Sequence, residues 1–264
     1  MRLGELQYID VSIADRIATV TLQRPDMLNA VGARMHYELS QVFRLLEADP
    51  ACDVVVLTGA GRAFCAGGDL EWLQSMVEEP ARFDAIMDEA KAIICSMLDM
   101  GKPMVCRMNG DAIGLGASLA LCCDIIIANE TARFGDTHVR VGLVAGDGAA
   151  VVLPYLVGYM RAKEMLLTGQ LLSAQEGHQM GLINHVVPED ELDARVALIV
   201  GRLVKGARQA IRYTKLALNA RLRSDAQGMM GMLMAYEALS SRSADHAEAV
   251  AAIRARRKPE FTGN

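Results

Sequence analysis

The sequence predicts an α/β fold whose strands stop near Pro188 and give way to an all-helical C-terminal region. Three observations carry this reading. Short β-branched runs such as "IATVTL" (17–22) and "VVVLTG" (54–59) have the composition of strands, the stretches between them have helical spacing, and Glu189 to Arg257 is helical throughout. Strands alternating with helices imply crossover connections and largely parallel pairing, with ligands at the C-terminal ends of the strands. We therefore expect a core over residues 1–188 and a helical region over 189–264.

Each element follows from its own stretch of chain. "IATVTL" alternates as a half-buried strand should, whereas the continuous run "VVVLTG" suits a strand covered on both faces. Between them, Met35, Leu39, Val42, Phe43 and Leu46 recur at helical spacing until Asp49-Pro50 stops the helix. A second helix is expected from about Ala81 to Met100, then a strand "MVCRM", then a helix and a strand within "NGDAIGLGASLALCCDIIIA" (109–128). The helical tail carries a Met-rich stretch, "QGMMGMLMAYEAL". Its methionines suit core packing, subunit packing or the wall of a flexible pocket.

Composition narrows the function classes. The 264 residues carry a formal net charge of -5, which argues against a general nucleic-acid binder and leaves "RARRK" (254–258) as the one basic run. Cys52, Cys65, Cys95, Cys106, Cys122 and Cys123 lack the paired spacing of a zinc site and read as reduced core cysteines of a cytoplasmic protein. We expect no metal. Neither a signal-like h-region nor a bilayer-length apolar run is present, so no membrane association is expected.

Two glycine-bearing turns carry the strongest chemical signal. "TGAGRAFCAGGDL" (58–70) and "NGDAIGLGASLAL" (109–121) each leave a strand and enter a helix. Bare glycines let a ligand atom approach backbone N–H groups, and a helix N-terminus adds partial positive charge. Neither turn has the P-loop lysine or the dinucleotide fingerprint. Two N–H donors converging on one atom describe an oxyanion hole. Tight packing of helix on strand is the other use such glycines have.

Taken in order, "LQRPDMLNAV", "VVVLTGAGRAFCAGGDL", "KPMVCRMNGDAIGLGASLALCCDIIIA", "ARFGDTHVRVGL", "LLTGQLLSAQEGHQMGLINHVVP" and "RRKPEF" resemble the crotonase, or enoyl-CoA hydratase/isomerase, superfamily over nearly the whole chain. The resemblance implies a spiral of ββα turns over residues 1–188, and a C-terminal helical region over 189–264 that makes trimers, or hexamers of two trimers, and covers CoA. It also implies an acyl-CoA thioester whose oxygen sits between the N–H groups of Gly68 and Leu115. CoA then enters as part of the substrate, with no separate cofactor. Ala66, Asp69 and Leu70 would lie near its adenine and Lys258, from this or a neighbouring subunit, near a phosphate. Asp26 stands after Pro25, where hydratases of the family often carry a lysine.

The family's hydratases position water with two glutamates, and this chain has Ser118 and His138 at those places. A serine is a poor acid and a histidine differs in charge, so the two-carboxylate mechanism does not carry over. The candidate replacement is His138 with Asp147, nine residues on between Gly146 and Gly148. Folded back, that carboxylate would fix the imidazole and support its cation. Its plainer use is to make a turn or cap the helix starting at "AAVVLP". If His138 is the base, activity falls on the acid side as the ring protonates.

A β-diketone-cleaving branch of the superfamily resembles the chain at His138 and Asp147, and also at His36 and Glu237, but has a histidine where Leu115 stands and does not use CoA esters. Drawn on a helical wheel, His36 falls away from its helix's apolar stripe and is expected at solvent or an interface. His178, His185 and His246 receive no role, and Trp72, Met76 and Met87 are candidate pocket walls. Three functions remain open: an acyl-CoA lyase or isomerase using His138 and Asp147, a C–C bond hydrolase acting on a β-keto group, and a CoA-binding homologue without catalysis.

Overall fold

The computed structural model describes residues 2–264. Its main sheet has six strands in the order β1 (Ile9–Ala14), β2 (Ile17–Leu22), β3 (Val54–Gly59), β4 (Met104–Met108), β6 (Ile125–Asn129) and β9 (His185–Val187). The β1–β2 hairpin is antiparallel and every later pairing is parallel. Three short strands, β5 (Ala112–Ile113), β7 (Arg133–Gly135) and β8 (Leu172–Ser173), form a second sheet beside it. After β4 and after β6 the chain adds a short strand of this second sheet, β5 or β7, before its next α-helix.

Both faces of the main sheet are covered, which is why "VVVLTG" is apolar without a break. Val55 and Leu57 join the large core with Leu39, Phe43 and Leu46 of α1 (Ala33–Ala48) and Ile93 and Met97 of α3 (Ala81–Asp99). Val54 and Val56 point the other way, onto Leu192, Val196 and Val200 of α7 (Glu189–Lys205). Successive side chains of a strand face opposite sides, so a central strand needs apolar residues at both parities.

Around this frame stand α2 (Leu70–Glu78), α4 (Leu115–Leu121), α5 (Ala149–Thr168) and α6 (Ala174–Gln179). Gly158, at φ 76° and ψ 162°, breaks α5 into two segments. Among the described residues no strand follows Val187: α7, α8 (Arg208–Ser240) and α9 (Ala244–Arg254) complete the chain. α8 runs along α3, and α9 packs on α2 and on the turn at His138–Val141. All six cysteines are free, and five are buried. Among the described residues no helix is long and apolar enough to cross a membrane.

Candidate active site

Two strand ends build the floor of the site. The loop after β3 and the loop after β4 are joined where Cys65 N–H donates to the Asp111 carbonyl at 3.0 Å and Ile113 N–H donates to the Cys65 carbonyl at 2.9 Å. A Cβ on Gly116 would stand 2.4 Å from that Cys65 oxygen, so only glycine allows α4 to come so close. Gly114, at φ 56° and ψ −123°, takes a conformation closed to ordinary side chains and turns the chain into α4. Tight packing therefore accounts for part of the glycine pattern.

The same geometry frees two amides. Gly68 lies in a short bridge to Val31 whose bonds run from Val31 N–H to the Gly67 carbonyl at 2.8 Å and from Asp69 N–H to the Val31 carbonyl at 2.9 Å. Gly68 contributes neither group, and alternation along an extended chain turns its amide to the other side. Leu115 is the first residue of α4, where an amide has no acceptor within the helix. Gly68 and Leu115 line one cavity of about 290 Å³.

That cavity gathers most of the residues singled out in the sequence. His36, Ala66, Leu70, His138, Asp147 and Glu237 line it together with Gly68 and Leu115, and so do the candidate walls Trp72, Met76 and Met87. The Met-rich stretch divides between uses: Met230 is core, Met234 lines the cavity, and Met232 is exposed. Lys258 follows α9 at the surface, outside the cavity lining. Ser118 is fully buried in α4, also outside the lining, with no partner for its hydroxyl.

One expectation needs correction. His36 is not at solvent: it is 2% exposed, its Nδ1 lies 2.9 Å from Glu89, and its ring meets that of Trp72 at 5.2 Å. The wheel reading failed because α2 and α3 cover the side of α1 away from the sheet. Asp69 is a structural residue, with one carboxylate oxygen capping α2 at the N–H groups of Glu71 and Trp72 and the other paired with Arg24 at 2.8 Å. Burial opposes its charge, but Arg24 and the cap hold its carboxyl below the usual range.

His138 is the centre of the polar cluster. Its Nδ1 lies 2.7 Å from Asp136 and its Nε2 3.1 Å from Asp147, so both ring nitrogens face carboxylates. Burial disfavours the imidazolium, yet the charge and hydrogen bond of Asp136, then those of Asp147, raise the ring well above its ordinary pKa. Burial also works against the Asp136 charge, and the adjoining imidazolium outweighs it and lowers that carboxyl. Glu237, 4% exposed, is pushed well upward by burial and then by the Asp147 charge, and its Oε2 has no partner. Both shifts favour the protonated form, of the ring between its two carboxylates and of the Glu237 carboxyl beside them. Asp147 makes no side-chain cap on α5, whose N-cap is Gly148. His138, Asp147 and Glu237 also bring one potential ligand atom each within 4.8 Å of one another, a spacing that would admit a metal ion.

Sequence reasoning missed Asp136. The signal was available in "GDTH": an aspartate two residues before a histidine can accept both its backbone N–H, here at 3.0 Å, and its ring.

This α/β fold has counterparts among known proteins. The family model described as enoyl-CoA hydratase/isomerase matches residues 12–264. The 1,2-epoxyphenylacetyl-CoA isomerase of Escherichia coli K12 is 32% identical over 98% of this chain and 99% of its own. A crotonyl-CoA hydratase of Syntrophomonas wolfei is also 32% identical, over 94% of this chain and 95% of its own. The crystal structure of an enoyl-CoA hydratase/isomerase from Mycobacterium paratuberculosis superposes with a TM-score of 0.89 at 34% identity, covering 92% of this chain and 97% of that one. The chain belongs to the enoyl-CoA hydratase/isomerase family.

Proposed function

We propose that this protein moves a proton beside the carbonyl of an acyl-CoA thioester, as an isomerase of the family does. The observation that carries the reading is the His138 ring held between Asp136 and Asp147 in the same apolar cavity as the Gly68 and Leu115 amides. The thioester oxygen lies between those two amides. Asp147 takes the proton from carbon as the C–H bond breaks, and the electron pair passes to the oxygen as an enolate. Two preorganised donors stabilise that charge, and losing one costs roughly 10²–10³ in rate. The enolate collapses, Asp147 returns the proton to a second carbon, and the double bond has moved.

In this scheme His138 is the cation beside the base. A ring with a proton on each nitrogen has no lone pair to accept another. Its positive charge instead supports the carboxylate of Asp147 and orients it, and Asp136 keeps the ring in place. Hydration by the two-glutamate arrangement fits less well, because Ser118 stands at one of those places, carries no carboxylate and is outside the cavity lining.

One observation favours a second reading. Glu237 lines the same cavity as Asp147, and burial and the Asp147 charge favour its protonated form; an acid beside a base is the pair that hydrolysis of a C–C bond next to a β-keto group requires. Asp147 would then activate water and Glu237 would protonate the departing carbon. Incubation with enoyl-CoA and β-keto-acyl-CoA esters, followed by mass spectrometry and proton NMR, separates the readings. Isomerisation shifts the double bond at constant mass, hydration adds a water and C–C hydrolysis gives two fragments. Unchanged esters that nonetheless bind would leave a CoA-binding homologue.

A cytoplasmic trimer, or a hexamer of two trimers, belongs to the same proposal. Tyr159 and Met160 of α5, at 72% and 80% exposed, and Leu218 of α8, at 78%, give the apolar surface such assembly covers. Light scattering that returns a monomer would refute it.

A further inference from the structure

A second polar point stands in the cavity, on α1. His36 lines the cavity, and its side chain is only 3% exposed. Its Nδ1 is committed to Glu89, whose carboxylate is acceptor-only, so Nδ1 carries the proton. Nε2 makes no hydrogen bond among the described residues. The ring is held by Trp72, and the neighbouring lining is apolar: Leu73, Met76, Phe83, Ile86 and Met87. An unpaired polar atom that faces an apolar cavity is satisfied by water or by a polar group of a ligand.

Resting on the acyl-CoA reading, we infer that His36 Nε2 recognises a hydroxyl group on the acyl part of the substrate. With the ring neutral, Nε2 is an acceptor; with the ring protonated against Glu89, it is a donor. A hydroxyl both donates and accepts, so it pairs with either state, whereas a carbonyl pairs with only one. The apolar walls around His36 call for a bulky ring or branched body bearing that hydroxyl. The substrate class is therefore a hydroxylated cyclic or aromatic acyl thioester, with one oxygen in the backbone amides and a second at His36.

Trp72 is the only tryptophan in the chain and touches His36, so its fluorescence reports binding without turnover. Cinnamoyl-CoA and its 2-, 3- and 4-hydroxy derivatives are titrated against the wild type, His36→Leu and His36→Phe. The phenylalanine keeps a ring against Trp72 should leucine fail to fold, and native affinity for unsubstituted cinnamoyl-CoA certifies either variant. We expect one hydroxylated ester to bind the wild type about tenfold more tightly than cinnamoyl-CoA, the value of one added hydrogen bond. Both variants should lose that preference. Equal affinity for all four esters in the wild type, or a preference that survives in a certified variant, overturns the inference while leaving the acyl-CoA reading intact. Failure of every ester, and of CoA itself, to bind overturns both.

Discussion

Asp136 Oδ1 lies 2.7 Å from His138 Nδ1 and 3.0 Å from the His138 backbone nitrogen, so one carboxylate oxygen holds the ring and the chain that carries it. The carboxylate thereby favours the cationic form of the ring, and the other ring nitrogen is aimed at Asp147. If activity needs that cation, the rate is lost on the alkaline side as His138 deprotonates above its ordinary pKa of roughly 6.5. A ring acting as base would instead lose rate on the acid side. Asp136→Asn should lower kcat roughly 10²-fold and move the alkaline limb to lower pH, with KM nearly unchanged. An unmoved limb in kcat against pH would show that Asp136 serves the fold alone.

Stability should also depend on pH in a set direction. Glu237 and His138 both have folded pKa values raised above their unfolded ones, so the native state holds protons that the unfolded chain releases. Their contribution is present at low pH. It is lost as pH rises from about 4.5 for the glutamate and about 6.5 for the histidine, up to each folded pKa. The slope is about 1.4 kcal/mol per pH unit for each proton at stake. Glu237→Gln keeps the neutral shape without the titration, and urea unfolding of this variant should lose less stability between pH 5 and about 7 than the wild type. Equal slopes for the two proteins would mean that Glu237 is ionised in the folded state.

Ser118→Ala should leave turnover within about twofold and raise stability by up to about 1 kcal/mol, because it removes a buried hydroxyl that has no partner. Steady-state kinetics and thermal melting check both. Abolished turnover would return Ser118 to the mechanism.

Lys258 follows a tail with Arg254, Arg256 and Arg257, and it is exposed. If this rim meets the CoA phosphates, affinity for CoA should fall with added salt, and Lys258→Glu should weaken it further at low ionic strength. Calorimetric titration that finds identical affinities for the two proteins at every salt concentration removes the tail from the site.

Much of this was readable from the chain. The strand "VVVLTG" announced its burial on both faces, and the two glycine turns announced their close approach to backbone. His138 and Asp147 were legible as a pair because a flexible, glycine-flanked loop separates them. Other features depended on packing between distant elements. His36 looked outward on an isolated helix, and only the α2 and α3 cover makes it part of a cavity. Asp69 looked free until Arg24, 45 residues earlier, was seen to occupy it. Glu237 is 90 residues from Asp147 in sequence, and no local pattern records that the two meet.

The interlocked turns at Cys65 and Ile113 have a consequence for how this protein can change. The Gly68 and Leu115 amides belong to the main chain, and their spacing is set by a backbone bridge together with Gly114 and Gly116, where a side chain would not fit. Proton carriers occupy separate segments, at 136–147 and on α8. Substitutions among those proton carriers would therefore leave the two interlocked glycine turns in place.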